Sequence, residues 1–62
     1  NGILNISSET TVDSILVYDI LGKIVAKTSN QNSINLEHLN ASMYIVKVKS
    51  SNSIKYQRII LE

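Results

Sequence analysis

From Met43 to Ser50 the chain alternates: Tyr44, Val46 and Val48 point one way, Lys47 and Lys49 the other. A two-residue period is what a strand needs when one face is buried, because successive side chains leave a pleated backbone on opposite sides. Shorter segments of the same kind recur along the chain, about ten residues apart and separated by polar turns. Ile3 to Ser7 carries Leu4 and Ile6 on one face. Ser14 to Asp19 and Lys23 to Thr28 are the second and third segments, Ser33 to Leu36 is a short fourth, and Ile54 to Leu61 is the last. Residues 7–13, 29–32 and 51–53 are polar connections. Residues 37–42 are irregular, with Leu39 placed to plug the core. No stretch repeats its apolar residues at helical spacing. The pattern predicts an all-β fold, a small Ig-like antiparallel β-sandwich of six or seven strands.

Length makes that sandwich economical. Sixty-two residues form one domain, and a chain of this size buries only about 60% of its unfolded surface. There is no Cys to add a disulfide, and that absence leaves the redox compartment open. Hydrophobic residues make up 44%, too many for a disordered chain. The net charge is +1, from six basic and five acidic residues. The densest basic group, Lys47, Lys49 and Lys55, is too dilute for a nucleic-acid surface. No apolar run reaches the roughly 18 residues of a membrane span, so no membrane insertion is expected. The chain begins without Met and without a basic-then-apolar leader. It reads as a piece of a longer polypeptide.

The turn between the second and third strands is well specified. In Tyr18-Asp19-Ile20-Leu21-Gly22-Lys23, Asp at the first turn position and Gly at the fourth fit a type I turn with Gly22 left-handed as a bulge. The Asp19 carboxylate can accept backbone hydrogen bonds within it. The tip itself, Ile20-Leu21, is apolar. Either Leu21 folds down as a lid over an open end of the sandwich, which is the expectation for so small a core, or the pair is a docking tip. Alternation adds a second apolar feature. With Ile15 and Val17 inward, Leu16 faces outward beside Tyr18; with Val25 inward, Ile24 faces outward. Leu16, Ile24 and Ile45 then form an exposed apolar patch on a face otherwise marked by lysines. Such a patch implies a protein contact, with weak self-association as a by-product.

Reactive groups are sparse. His38 is the sole histidine, and Glu37 alone stands near it in the sequence, so a solvated loop histidine is expected rather than a metal ligand. Glu9, Asp13 and Asp19 are explained by turn and connection chemistry better than as an acid–base pair. No serine sits in a nucleophile elbow, and two glycines cannot build a phosphate-cradling loop. Asn5-Ile6-Ser7 and Asn40-Ala41-Ser42 match the short glycosylation pattern. The residues offer no catalytic, cofactor-binding or metal site, and the chain is expected not to be an enzyme.

Element order carries a resemblance. The opening strand "LNIS" (4–7), the hairpin "VYDILGKIV" (17–25), the short "INL" (34–36) ahead of Leu39, the strand "YIVKV" (44–48) and the closing "RIIL" (58–61) follow one another in a recognisable spacing. The chain resembles the C-terminal sorting domain of the type IX secretion system, the type A family of the Por secretion system. The resemblance spans essentially all 62 residues. It departs at Ser42, where members usually carry Gly, at Glu62, where many end in Lys, and in the absence of Pro. If Ser42 had to take the backbone of that Gly, it would cost on the order of 1 kcal/mol.

The resemblance implies a signal rather than a catalyst. Residues 1–62 would be a C-terminal sorting domain following an N-terminal cargo domain. The secretion machinery would read it, a surface peptidase would remove it, and the cargo would be secreted or held at the cell surface after passing periplasm and outer membrane. Recognition would fall on the turn (Tyr18, Asp19, Ile20, Leu21, Gly22, Lys23) and on the last strand (Arg58, Ile59, Ile60, Leu61). At least two of Ile59, Ile60 and Leu61 are expected to be buried. The alternative is an adhesion or carbohydrate-binding module of the same fold, using Tyr18 and Tyr56 as exposed aromatics, with Tyr44 inward.

Overall fold

Alternating segments of this kind find stability only when their apolar faces meet, and here they meet across two antiparallel sheets. The computed structural model describes residues 2–6, 12–51 and 53–62. Its strands are β1 (Ile3–Asn5), β2 (Val12–Tyr18), β3 (Ile24–Ser29), β4 (Ser33–Asn35), β5 (Ser42–Ser50) and β6 (Ser53–Leu61). The larger sheet runs in the order β3-β2-β5-β6, and β1 pairs with β4 in the second. Every pairing is antiparallel. The fold is all-β and sandwich-like, and no described residue is helical.

The core lies between the sheets. Val12, Ile15 and Val17 of β2, Tyr44 and Val46 of β5, and Ile34 with Leu36 from the β4 side are buried together. Leu4, Ile6 and Leu39 are half-buried against them, so Leu39 does close the irregular segment onto the core. The Tyr44 hydroxyl donates to the Asn40 carbonyl at 2.7 Å, which satisfies the polar end of a buried ring. Gly2, just before β1, lies against the Glu37 backbone. A Cβ there would lie 2.8 Å from the Glu37 backbone nitrogen, closer than a side chain can sit.

Three features differ from the sequence reading. β2 begins at Val12, in a stretch expected to be a polar connection. A bulge between Val12 and Ser14 lets Val12 and Ile15 both face the core. The extra residue breaks the two-residue period, so alternation could not reveal Val12. Ser42 opens β5 with an ordinary backbone. The non-glycine residue with positive φ among the described residues is Asn30, at 57°, and Asn tolerates that region well. The Asn30 N–H donates to the Asp13 carbonyl at 3.0 Å. Finally, Ile59 and Leu61 are half-buried rather than buried, and Ile60 is 68% exposed. β6 is an edge strand, and β4 packs beside β3 on the far side of the main sheet. Lys55 and Gln57, opposite Val48 and Val46, are therefore exposed on the inner side of β6 as well. Ser7, Glu9 and the rest of residues 7–11 lie outside the described residues, as do Asn1 and Asn52.

Candidate functional site

The hairpin turn is held by its polar residues alone. The Gly22 N–H donates to the Asp19 carbonyl at 3.0 Å, and the Asp19 N–H to the Lys23 carbonyl at 2.9 Å. The Asp19 carboxylate accepts from the Leu21 and Lys23 N–H groups, each at 2.9 Å. Gly22 has φ +84°, the left-handed conformation that closes a three-residue hairpin loop. Neither Ile20 nor Leu21 contributes a side-chain contact to this arrangement. They are 68% and 87% exposed. Leu21 therefore does not fold down as a lid. The core residues Val17 and Tyr44 are already covered without it, and the turn geometry carries the tip away from the sandwich.

Gly22 gives a clean stability test. A Cβ at this position would meet nothing within 4 Å, so the cost of replacing it is conformational only. Gly22→Val is expected to lose about 1–2 kcal/mol, while Gly22→Asn recovers most of that. Thermal unfolding of the two variants checks this ordering, and a Val variant as stable as the parent would contradict it.

The outer face of the main sheet continues from the turn. Pairing places Ile24, Tyr18, Ile45 and Arg58 in one row across all four strands. The next row is Lys27, Leu16, Lys47 and Tyr56, and the one beyond it holds Ser29, Ser14, Lys49 and Ile54. A bulge on β3 produces this register: Val17 pairs with Ala26 and Tyr18 with Ile24, so Val25 and Ala26 both pack on the core while Ile24 turns outward. Ile24 is 49% exposed; Leu16, Tyr18, Ile45 and Lys47 are half-buried. The two stretches singled out from the sequence thus share a surface. Arg58 and Ile60 stand on the same face as Tyr18, whereas Ile59 and Leu61 turn to the core.

The other candidate residues stay apart. His38 is exposed beside a shallow groove lined by Lys27, Gln31, Ser33 and Asn35. Among the described residues no group of three His, Cys, Asp or Glu side chains could hold a metal. Asp19 is in the turn and Asp13 at the opposite end of β2. Glu37 is tied to its neighbour, its N–H donating to the Asn35 side-chain oxygen at 2.8 Å. Asn5 and Asn40 are exposed, but Ser7 of the first glycosylation pattern is outside the described residues. Tyr56 is 66% exposed and Tyr18 only half so. Sequence reasoning did not place Lys27 or Tyr56 beside Leu16, because they reach its row only through strand pairing.

A family model for the secretion system C-terminal sorting domain matches residues 1–62. No curated protein and no solved structure matches the chain. The matched family is a sorting signal and not a catalytic one. On that match over its whole length, the chain belongs to the C-terminal sorting domains of the type IX secretion system.

Proposed function

We infer that this domain is the folded export signal of a cargo protein joined to its N-terminal side, and that the machinery reads the Ile20-Leu21 tip. One observation carries the reading. Asp19 and Gly22 specify the hairpin through backbone hydrogen bonds, yet the two side chains they hold out are large, apolar and mostly exposed. A monomer gains nothing from such a tip in water, whereas a receptor pocket does. Once the cargo is across the outer membrane, a surface peptidase removes the domain, and the cargo is released or held at the cell surface. The adhesion-module alternative has less support, because Tyr56 alone presents a widely exposed ring.

The test is export of a reporter. A reporter with its own Sec signal, fused ahead of residues 1–62, is expected to leave a type IX-competent cell. Ile20→Ser with Leu21→Ser is expected to cut export about tenfold or more, the scale of losing one interface anchor, and to leave thermal unfolding nearly unchanged. Accumulation of the intact parent fusion in the periplasm would refute the export signal. Normal export of the double variant would refute the tip, and a large loss of stability would show the pair to be structural.

A further inference from the structure

Among the described residues, the paired positions of the outer face hold cations, apolar groups and serines but no acid. Lys27 and Lys47 stand directly opposite Leu16 on either side, Lys49 is opposite Ser14, and Arg58 is opposite Ile45. Each of the four described carboxylates lies off the ladder of this face. Asp13 falls in the β2 bulge, Asp19 in the turn, Glu37 after β4 and Glu62 after β6. None of the four cations forms an ion pair with a described residue. All the same, Arg58 stands diagonally across from Lys47 on the neighbouring strand, and Lys49 is two residues further along Lys47's own strand, so like charges repel there. The arrangement costs the isolated domain something and returns nothing within it.

Apolar area on the same face points the same way. Ile24, Ile54, Tyr56 and Ile60 are all about half exposed or more, and Lys47 is half-buried among them, in the position of a lysine whose stem covers apolar surface. At its hairpin end the face runs on into the Ile20-Leu21 tip. Leu16, Tyr18 and Ile45 on the two central strands make an apolar middle, with Lys27 and Arg58 on the edge strands and Lys47 beside Leu16, and this suits a surface that is apolar in the middle and carries carboxylates around it. A second copy of this chain offers the same cations and is disfavoured.

We propose that this face binds an acid-rimmed apolar protein surface of the export machinery, with Lys27, Lys47 and Arg58 as the steering charges around Leu16 and Tyr18. The inference rests on the export reading and extends the contact from the tip to the whole outer face. Two lysines on adjacent strands provide the test. Lys47 points outward from β5 and Lys55 inward from β6, so Lys47→Glu and Lys55→Glu change the charge equally on opposite sides of the sheet. In two unrelated reporter fusions, Lys47→Glu is expected to lower export about tenfold, and Lys27→Glu with Lys47→Glu further, while Lys55→Glu leaves it near the parent. Circular dichroism of the 62-residue chain reports whether each variant folds; if Lys47→Glu does not, Lys47→Gln is expected to give a smaller loss in the same direction.

The opposing outcomes are distinct. Equal export of all variants overturns the proposal. A loss seen with one reporter only means that the cargo covers the face, and also overturns it. Sedimentation showing a parent dimer that Lys47→Glu dissociates would make the occupant a second copy. A parent fusion that is not exported overturns the export reading itself, before this face is in question.

Discussion

Ile15→Ala is expected to leave most of the domain unfolded at 37 °C. Ile15 has no exposed surface and stands in the middle of the main sheet, with Thr28 opposite on one side and Val48 on the other. Cutting it to Ala removes buried methyl and methylene groups and leaves a cavity that a stiff sheet cannot close, at a cost of about 2–5 kcal/mol. A disulfide-free chain below about 70 residues rarely holds more than about 3–5 kcal/mol in total. The loss is therefore comparable with the whole stability. Circular dichroism melting measures it directly. Export of an Ile15→Ala fusion separates two ways of reading the signal: a machinery that recognises the folded face loses its target, whereas one that recognises a linear segment does not.

Deleting residues 58–62 is expected to have the second largest effect. It removes Ile59, which covers Tyr44, and Leu61, which faces Ser42. Half-burial of two such side chains is worth about 2 kcal/mol. It also strips the pairing partners from Ser42 to Ile45 and leaves that part of β5 as a new edge. For a domain of this size a midpoint drop of about 10–15 °C follows, with export lost because Arg58 goes too. A truncated chain with an unchanged midpoint would show that the end of β6 is not part of the fold.

Much of this fold was legible because most of it obeys one rule. Tyr44, Val46 and Val48 alternate with Ile45, Lys47 and Lys49, and the structure keeps that alternation through the whole of β5. The Asp19–Gly22 turn was equally legible, since its geometry depends on residues within four positions of one another. Where the chain breaks the rule, the reading failed. Val12 could not be recognised because a bulge opposite Ser50 puts two inward residues three apart. Leu21 was taken for a lid because a small core needs cover, but the cover comes from β1 and β4 across the sandwich, a long-range fact that no local pattern encodes. Lys27 and Tyr56 joined the candidate surface for the same reason: two strands stand between them, and only Leu16 and Lys47 link them.

Strand order has a kinetic consequence. Within the main sheet, β2 with β3 and β5 with β6 are neighbours in sequence, while β2 and β5 pair across the two intervening strands' worth of chain. The domain is thus two local ribbons joined along one distant seam. A hairpin can form in about 1–10 μs, but the seam must first meet the entropy of closing the longer loop. Ile15, Val17 and Val46 lie on that seam and are among the most deeply buried residues. Folding of the chain is therefore gated where its core is densest, and the loss from Ile15→Ala is expected to appear chiefly as slower refolding in stopped-flow measurements. Faster unfolding at an unchanged refolding rate would mean that the two ribbons meet before their side chains pack.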